Sequence, residues 1–164
     1  MRVLGIDPGS ETLGWGVVEG GGSKYLPVGH GVVKSNTKQA FSKRLKNIYD
    51  GVGEIISQYQ PDVVSIEEAF FSVNVSSAMK LGQVRGIVLL LAEQHGISLA
   101  EYSPRLIKQT VVGYGNADKI QVQEMVKLLL GLKEIPHPHD AADALAAAIC
   151  HFHHTGALSS VKGR

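Results

Sequence analysis

The chain begins in short apolar runs of strand character. "RVLGID", "TLGWGVVEGG" and "KYLPVGHGVVKS" are rich in β-branched and aromatic residues and are separated by Gly- and Ser-containing turns. The gap "GGGS" between the second and third suits a hairpin. The period then lengthens: from about residue 40 to 59, Leu45, Ile48, Tyr49, Val52, Ile55 and Ile56 fall on one helical face. "DVVSIEEA", entered through Pro61, predicts a short buried strand, followed by a helix from about 74 to 95 and a strand "SLAEYS". A further helix starts at Pro104, whose fixed φ suits a first turn. Another runs from about 118 to 131, and "PHPHDAADALAAAIC" opens the last. Strands feeding strands and then alternating with helices imply an α/β fold, a mixed central sheet flanked by helices. No linker or repeat interrupts it, so residues 1–156 read as one domain and 157–164 as a flexible tail.

Composition narrows the picture modestly. At 164 residues, 44% hydrophobic and 19% charged, the chain can bury a real core. The longest apolar runs, "GIVLLLA" and "ALAAAIC", fall short of the roughly 20 residues that span a bilayer. "MRVLGID" enters a strand directly, without the pattern of a signal peptide. The single cysteine, Cys150, has no internal disulfide partner, which fits a reducing, cytoplasmic setting. A net charge of +1 neither demands nor excludes nucleic acid. Lys80, Arg85, Arg105, Lys108, Lys119, Lys127 and Lys133 gather in the second half, and taken alone they read as a solvated face.

The carboxylates change that reading. The alanines of "DAADALAAAI" already favour a helix, so neither aspartate is needed to form one. Asp140, close behind Pro138, can serve the helix N-terminus. Asp143 is neither cap nor turn. It lies one turn further on the same face, among alanines and Leu145, and makes sense beside a cation. Asp7 closes the first strand before a Pro-Gly turn, and Glu67 and Glu68 close another; alternation leaves open which glutamate faces a site. Asp7, one of these glutamates, Asp140 and Asp143 form an all-oxygen set suited to Mg²⁺ or Mn²⁺ rather than Zn²⁺. Two such ions about 3.5–4 Å apart can activate water and stabilise the leaving oxygen of a phosphodiester.

Four ordered motifs carry a resemblance over essentially the whole chain: "VLGIDPGS…GWGVV", "SIEEAFFSVNVSSAMKLGQVRG", "YSPRLIKQTVVGYGNADKIQVQEMV" and "HDAADALAAAI". Together they strongly resemble the RuvC family of bacterial Holliday junction resolvases. The resemblance implies a ribonuclease H-like fold, a homodimer, and paired, Mg²⁺-dependent nicks across four-way junction DNA, with two ions per active site. It implies Asp7, Glu67, Asp140 and Asp143 as catalytic and metal-binding acids, favouring Glu67 over Glu68. It also implies the branch-migration proteins RuvA and RuvB as partners, and recombination and repair as the setting.

DNA contacts and assembly are read partly from residues. Neighbouring Phe70 and Phe71 on an extended segment point opposite ways, and the family pattern selects Phe70 to stack on an unpaired base. Lys108 and Lys119 flank the glycine loop "VGYGNAD" and can reach phosphates, and the resemblance marks both as DNA contacts; Lys80 and Arg85 are secondary candidates. Ala78, Gly82 and Gly86 form a small-residue stripe, and "IVLLLA" beyond it is apolar all round, which predicts burial on two sides and a twofold partner helix. The histidines of "HPH" and "HFHH" (His137, His139, His151, His153 and His154) read as structural or surface groups, with His139 beside Asp140. Two competing functions are a non-catalytic junction-binding module, against which Asp143 argues, and an actin- or sugar-kinase-like ATP-binding protein. The latter needs a second phosphate loop that this chain lacks.

Overall fold

The computed structural model describes residues 1–21, 24–68 and 74–161, with side chains through residue 156. Strand β1 (Arg2–Asp7) leads into β2 (Thr12–Gly21) and β3 (Lys24–Lys34). Helix α1 (Phe41–Tyr59), β4 (Val63–Glu67), α2 (Val75–Gln94) and β5 (Ser98–Tyr102) follow. Helices α3 (Pro104–Val112), α4 (Lys119–Leu130) and α5 (His139–Val161) complete the order. The expected tail, 157–164, lies where side chains are not described, while the α5 backbone runs to Val161.

The five strands lie in the order β3-β2-β1-β4-β5, antiparallel through β3-β2-β1 and parallel through β1-β4-β5. Alternation along β1 divides the core. Val3 joins a cluster under α3, α4 and α5, whereas Leu4 and Ile6 join one under α1 and α2. The sheet is therefore covered on both faces.

Helix α5 reaches the sheet at a distance that only glycine permits. A Cβ added at Gly5 would overlap the carbonyl oxygen of Ala144, one at Gly14 the carbonyl oxygen of Asp140, and one at Gly16 the Leu145 side chain. Glycine inside a strand costs packing and entropy, and here it marks close backbone approach. The alanines from Ala141 to Ala148 complete the fit and are fully buried. The Ser65 hydroxyl on β4 donates to Ala147 O at 2.8 Å, fixing the helix against the parallel half as well.

Helix α2 is different. Val84, Val88, Leu91 and Ala92 are buried, but Val75, Met79 and Leu90 are 72%, 63% and 52% exposed. Gly82 and Gly86 lie on that same stripe, with nothing among the described residues within 4 Å of an added Cβ. By length and composition this helix is apolar enough to cross a membrane, although the sequence was expected to hold no such span. Its Arg85 is, however, ion-paired with Glu101 of β5, which ties the helix to the sheet of the domain.

Candidate active site

Parallel pairing of β1 with β4 sets Gly5 opposite Ser65 and Ile6 opposite Ile66, so both strands end together and Asp7 emerges beside Glu67. Glu67 shares a face with Ser65, the face turned toward α5. Glu68 lies just past the end of β4 and is exposed. The choice left open by alternation thus falls on Glu67. Above the two strand ends, α5 begins at His139 and brings Asp140 and Asp143 over the sheet. The glycine at position 14 allows the Asp140 backbone to sit directly on β2.

These four acids line a cavity of about 250 Å³, together with Pro104, Lys108, Lys119, Val122 and His139. A larger groove of about 700 Å³ lies between α1 and α2. Its Asp50 is already paired with Lys46 at 2.6 Å, and volume alone is not chemistry. The smaller cavity is distinguished by acids converging from three elements.

The turn after Asp7 is anchored from below. The buried Arg44 of α1 donates to Ser10 O at 2.7 Å and to Ser35 Oγ at 3.2 Å. Ser35 Oγ in turn donates to Ser10 O at 2.7 Å. Sequence reading passed over Arg44; a cation on the otherwise apolar face of α1 was the available signal. It passed over Gly5, Gly14 and Gly16 too, although glycines inside strands mark close approach.

The electrostatics are those of a site built for positive charge. Burial pushes the Asp7 carboxyl up to about 8, aided by repulsion from Glu67, Asp143 and Asp140 and opposed by Lys119. Glu67 is pushed up to about 7 by burial and then by Asp143, with Lys108 and Lys119 opposing. Asp143 is raised by burial, while Lys119 and His139 pull it back. Carboxylates held this way ionise readily only when a cation compensates them. Among the described residues no three His, Cys, Asp or Glu side chains stand close enough together to hold one metal ion as placed. The four acids line one cavity without closing on one another. Oxygen donors with room between them fit a hard divalent cation bound partly through water and substrate phosphate.

Both sequence-predicted lysines reach the rim. Lys108 projects from α3, which is capped by Ser103 and ends at Gly113 with φ +101. Lys119 opens α4 directly after its capping residue Asp118, whose carboxylate and Gln121 bond reciprocally. His139 also lines the cavity, with Nε2 3.7 Å from Asp140 Oδ1. Lys80 and Arg85 are not brought there: Lys80 sits 5.8 Å over the Phe41 ring and Arg85 pairs with Glu101. Phe70 and Phe71 lie outside the described residues. His151, His153 and His154 belong to the far part of α5, away from the acids.

Residues 3–151 match the family model for Crossover junction endodeoxyribonuclease RuvC. This chain belongs to the RuvC family. The RuvC of Alkaliphilus metalliredigens is 48% identical over 164 residues, covering 99% of this chain and 100% of that protein. The RuvC of Chloroflexus aggregans is 51% identical over 151 residues, covering 92% of each. T. thermophilus RuvC, solved in complex with a Holliday junction substrate, superposes with a TM-score of 0.91 at 38% identity, covering 97% of both chains. The yeast mitochondrial Holliday junction resolvase Ydc2 shares the fold at 13% identity, with a TM-score of 0.65 over 98% of this chain and 85% of that one. The fold is accordingly ribonuclease H-like, as the motifs led us to expect.

Proposed function

We propose that the acidic cavity is a DNA-cutting centre. As a RuvC, the chain is a Holliday junction resolving endonuclease of recombination and repair, and Asp7, Glu67, Asp140 and Asp143 are its catalytic acids. The observation that carries this reading is the convergence of four carboxylates on one cavity, with Asp7 pushed up to about 8 and Glu67 to about 7. Such acids have no reason to be kept together unless something positive joins them.

The donor set fits two Mg²⁺ ions, with Mn²⁺ able to substitute. Bound there, divalent cations supply an activated water and neutralise charge on the scissile phosphate. The protein's own residues supply position. Asp7, at the meeting point of β1, β4 and α5, would hold the cations together with Glu67, Asp140 and Asp143. Lys108 and Lys119 on the rim hold the DNA backbone and oppose the repulsion between acids and phosphates. Phe70 follows Glu67 by three residues, and we assign it the stacking contact with an unpaired base.

The uncovered stripe of α2 is the face of a homodimer. Val75, Met79, Gly82, Gly86 and Leu90 recur at helical spacing and are not covered by the described residues. A twofold pair of active sites matches the two equivalent strands of a junction. RuvA and RuvB are the branch-migration partners, and the single buried Cys150 suits a reducing cytoplasm.

The test is to incubate the protein with a synthetic four-way junction and map the nicks. Symmetric, paired nicks that require Mg²⁺ or Mn²⁺ are expected. Tight junction binding without any divalent-dependent nick would instead support a binding module.

A further inference from the structure

Tyr102 ends β5, packed against the core beneath α3, α4 and α5, and its polar contacts link elements that carry the cavity's residues. Its carbonyl oxygen accepts the N–H of Glu68 at 2.9 Å, directly after Glu67 leaves the sheet. In register it is the neighbour of Glu67 itself. Ser103 and Pro104 follow at once and start α3, the helix carrying Lys108. The phenol reaches α5, with its oxygen 2.9 Å from His151 Nδ1. The ring stacks on His154, with centroids 5.2 Å apart and planes at 22°. One residue therefore joins the strand end of Glu67, the helix of Lys108 and the helix of Asp140 and Asp143.

His151 is otherwise hard to account for. It is only 8% exposed, in a helix whose other buried residues from Ala141 to Phe152 are alanines, apolar side chains and Cys150. Burial lowers its affinity for a proton, and His154 lowers it further. Burial raises the Tyr102 phenol, as does Cys150. Both partners are thus held neutral at ordinary pH, where a single hydrogen bond satisfies them without a buried charge. An alanine helix lying on glycines has few side chains to stop it sliding along the sheet. Ser65 to Ala147 is one stop, and Tyr102 to His151 is the next turn of the same helix.

We infer that the Tyr102–His151 hydrogen bond is a positioning clamp that sets α5, and with it Asp140 and Asp143, in register with Glu67 across the metal site. The inference rests on the carboxylate metal site proposed above. Neither residue touches the reacting atoms; each acts through the acids it holds.

The experiment compares Tyr102→Phe, His151→Leu, His151→Asn and the Tyr102→Phe/His151→Leu double variant in the full-length protein. Two quantities are read: the Mg²⁺ concentration giving half of the metal-induced melting shift, and single-turnover nicking of a four-way junction. Tyr102→Phe and His151→Leu should each raise the Mg²⁺ midpoint and slow nicking by about tenfold, as loss of an outer support does. Junction affinity without metal should stay within about twofold of the unmodified protein, because the lysine rim is intact. His151→Asn, which can still bond the phenol, should recover part of the loss. The double variant should be no worse than either single one, since both remove the same bond. A Tyr102→Phe protein with normal Mg²⁺ midpoint and nicking rate would overturn the clamp, as would additive losses in the double variant. If the unmodified protein shows no Mg²⁺-dependent shift while Asp7→Asn still cuts, the metal site itself is wrong and the clamp falls with it.

Discussion

Two glycine-bearing surfaces of this molecule look alike in sequence and behave in opposite ways. Under α5, Gly5, Gly14 and Gly16 are filled: any Cβ there would run into the helix backbone or Leu145. On α2, Gly82 and Gly86 are open, with nothing within 4 Å and exposed Met79 and Leu90 on the same stripe. The first surface has been closed by the chain itself, and the closure is what lays Asp140 and Asp143 over Asp7. The second is left uncovered by the described residues and is the face we propose for the homodimer. Small residues thus let a helix close onto the sheet in one place and leave a bare stripe in the other, and the difference shows only once the neighbours are known.

The sharpest way to break the comparison is to add one methyl group to each surface. Gly5→Ala should cost at least about 3 kcal/mol, because a Cβ meets backbone that cannot swing aside. For a chain of this size that lowers the melting temperature by roughly 6–12 °C. Gly82→Ala should leave the fold as stable or slightly more stable, by up to about 1 kcal/mol from helix propensity. Similar melting of the two variants would erase the distinction.

Assembly gives the next largest effect. Gly82→Glu and Leu90→Glu should sediment as monomers while keeping their helical circular dichroism. Leu90 is a better choice than its neighbour Leu89, which is half-buried against the domain. If both charged variants remain dimeric, the open stripe is not the interface.

A smaller effect separates the filled surface from the acids it carries. The Asp7 carboxyl is raised from 3.8 to about 8 in the folded protein, so between those values the folded state holds a proton that the unfolded state has lost. Stability without divalent cations should therefore be greatest at acid pH and fall as pH rises through about 8, with Glu67 adding to the decline up to about 7. Asp7→Asn should flatten this profile and melt a few degrees higher than the unmodified protein at pH 8. Mg²⁺ should flatten it as well. A metal-free melting curve that rises with pH over this window would contradict the electrostatic picture.

The rim lysines should give the mildest change. Lys108→Ala and Lys119→Ala should each weaken junction binding and reduce its salt dependence by about 0.9 log unit per lost duplex phosphate contact. An unchanged slope would remove them from the DNA interface.

The convergence of the acids on one cavity was legible because chemistry and period conspire. Asp143 is an unneeded charge in an alanine helix, and the helix repeat puts it above Asp140. The all-round apolar character of "IVLLLA" likewise pointed to burial on two sides, and the structure leaves one of them open. Glu67 was not separable from Glu68 by alternation alone. The deciding fact is tertiary, the Ser65 bond to α5 that shows which face of β4 meets the helix. Arg44 and Tyr102 escaped notice for the same reason: their partners, Ser10 and His151, are distant in sequence, and no local period connects them. The strand glycines did carry a local signal, since a strand interior normally rejects glycine.

The most direct test of the account is to substitute the four acids one at a time, as Asp7→Asn, Glu67→Gln, Asp140→Asn and Asp143→Asn, and to measure nicking and binding on the same preparations. Each change preserves shape while removing a negative charge and a ligand oxygen. Every variant should lose nearly all Mg²⁺-dependent nicking, while metal-free junction binding persists or tightens because repulsion toward phosphate has fallen. Folded variants that nick at the normal rate would contradict the assignment of this cavity as the active site.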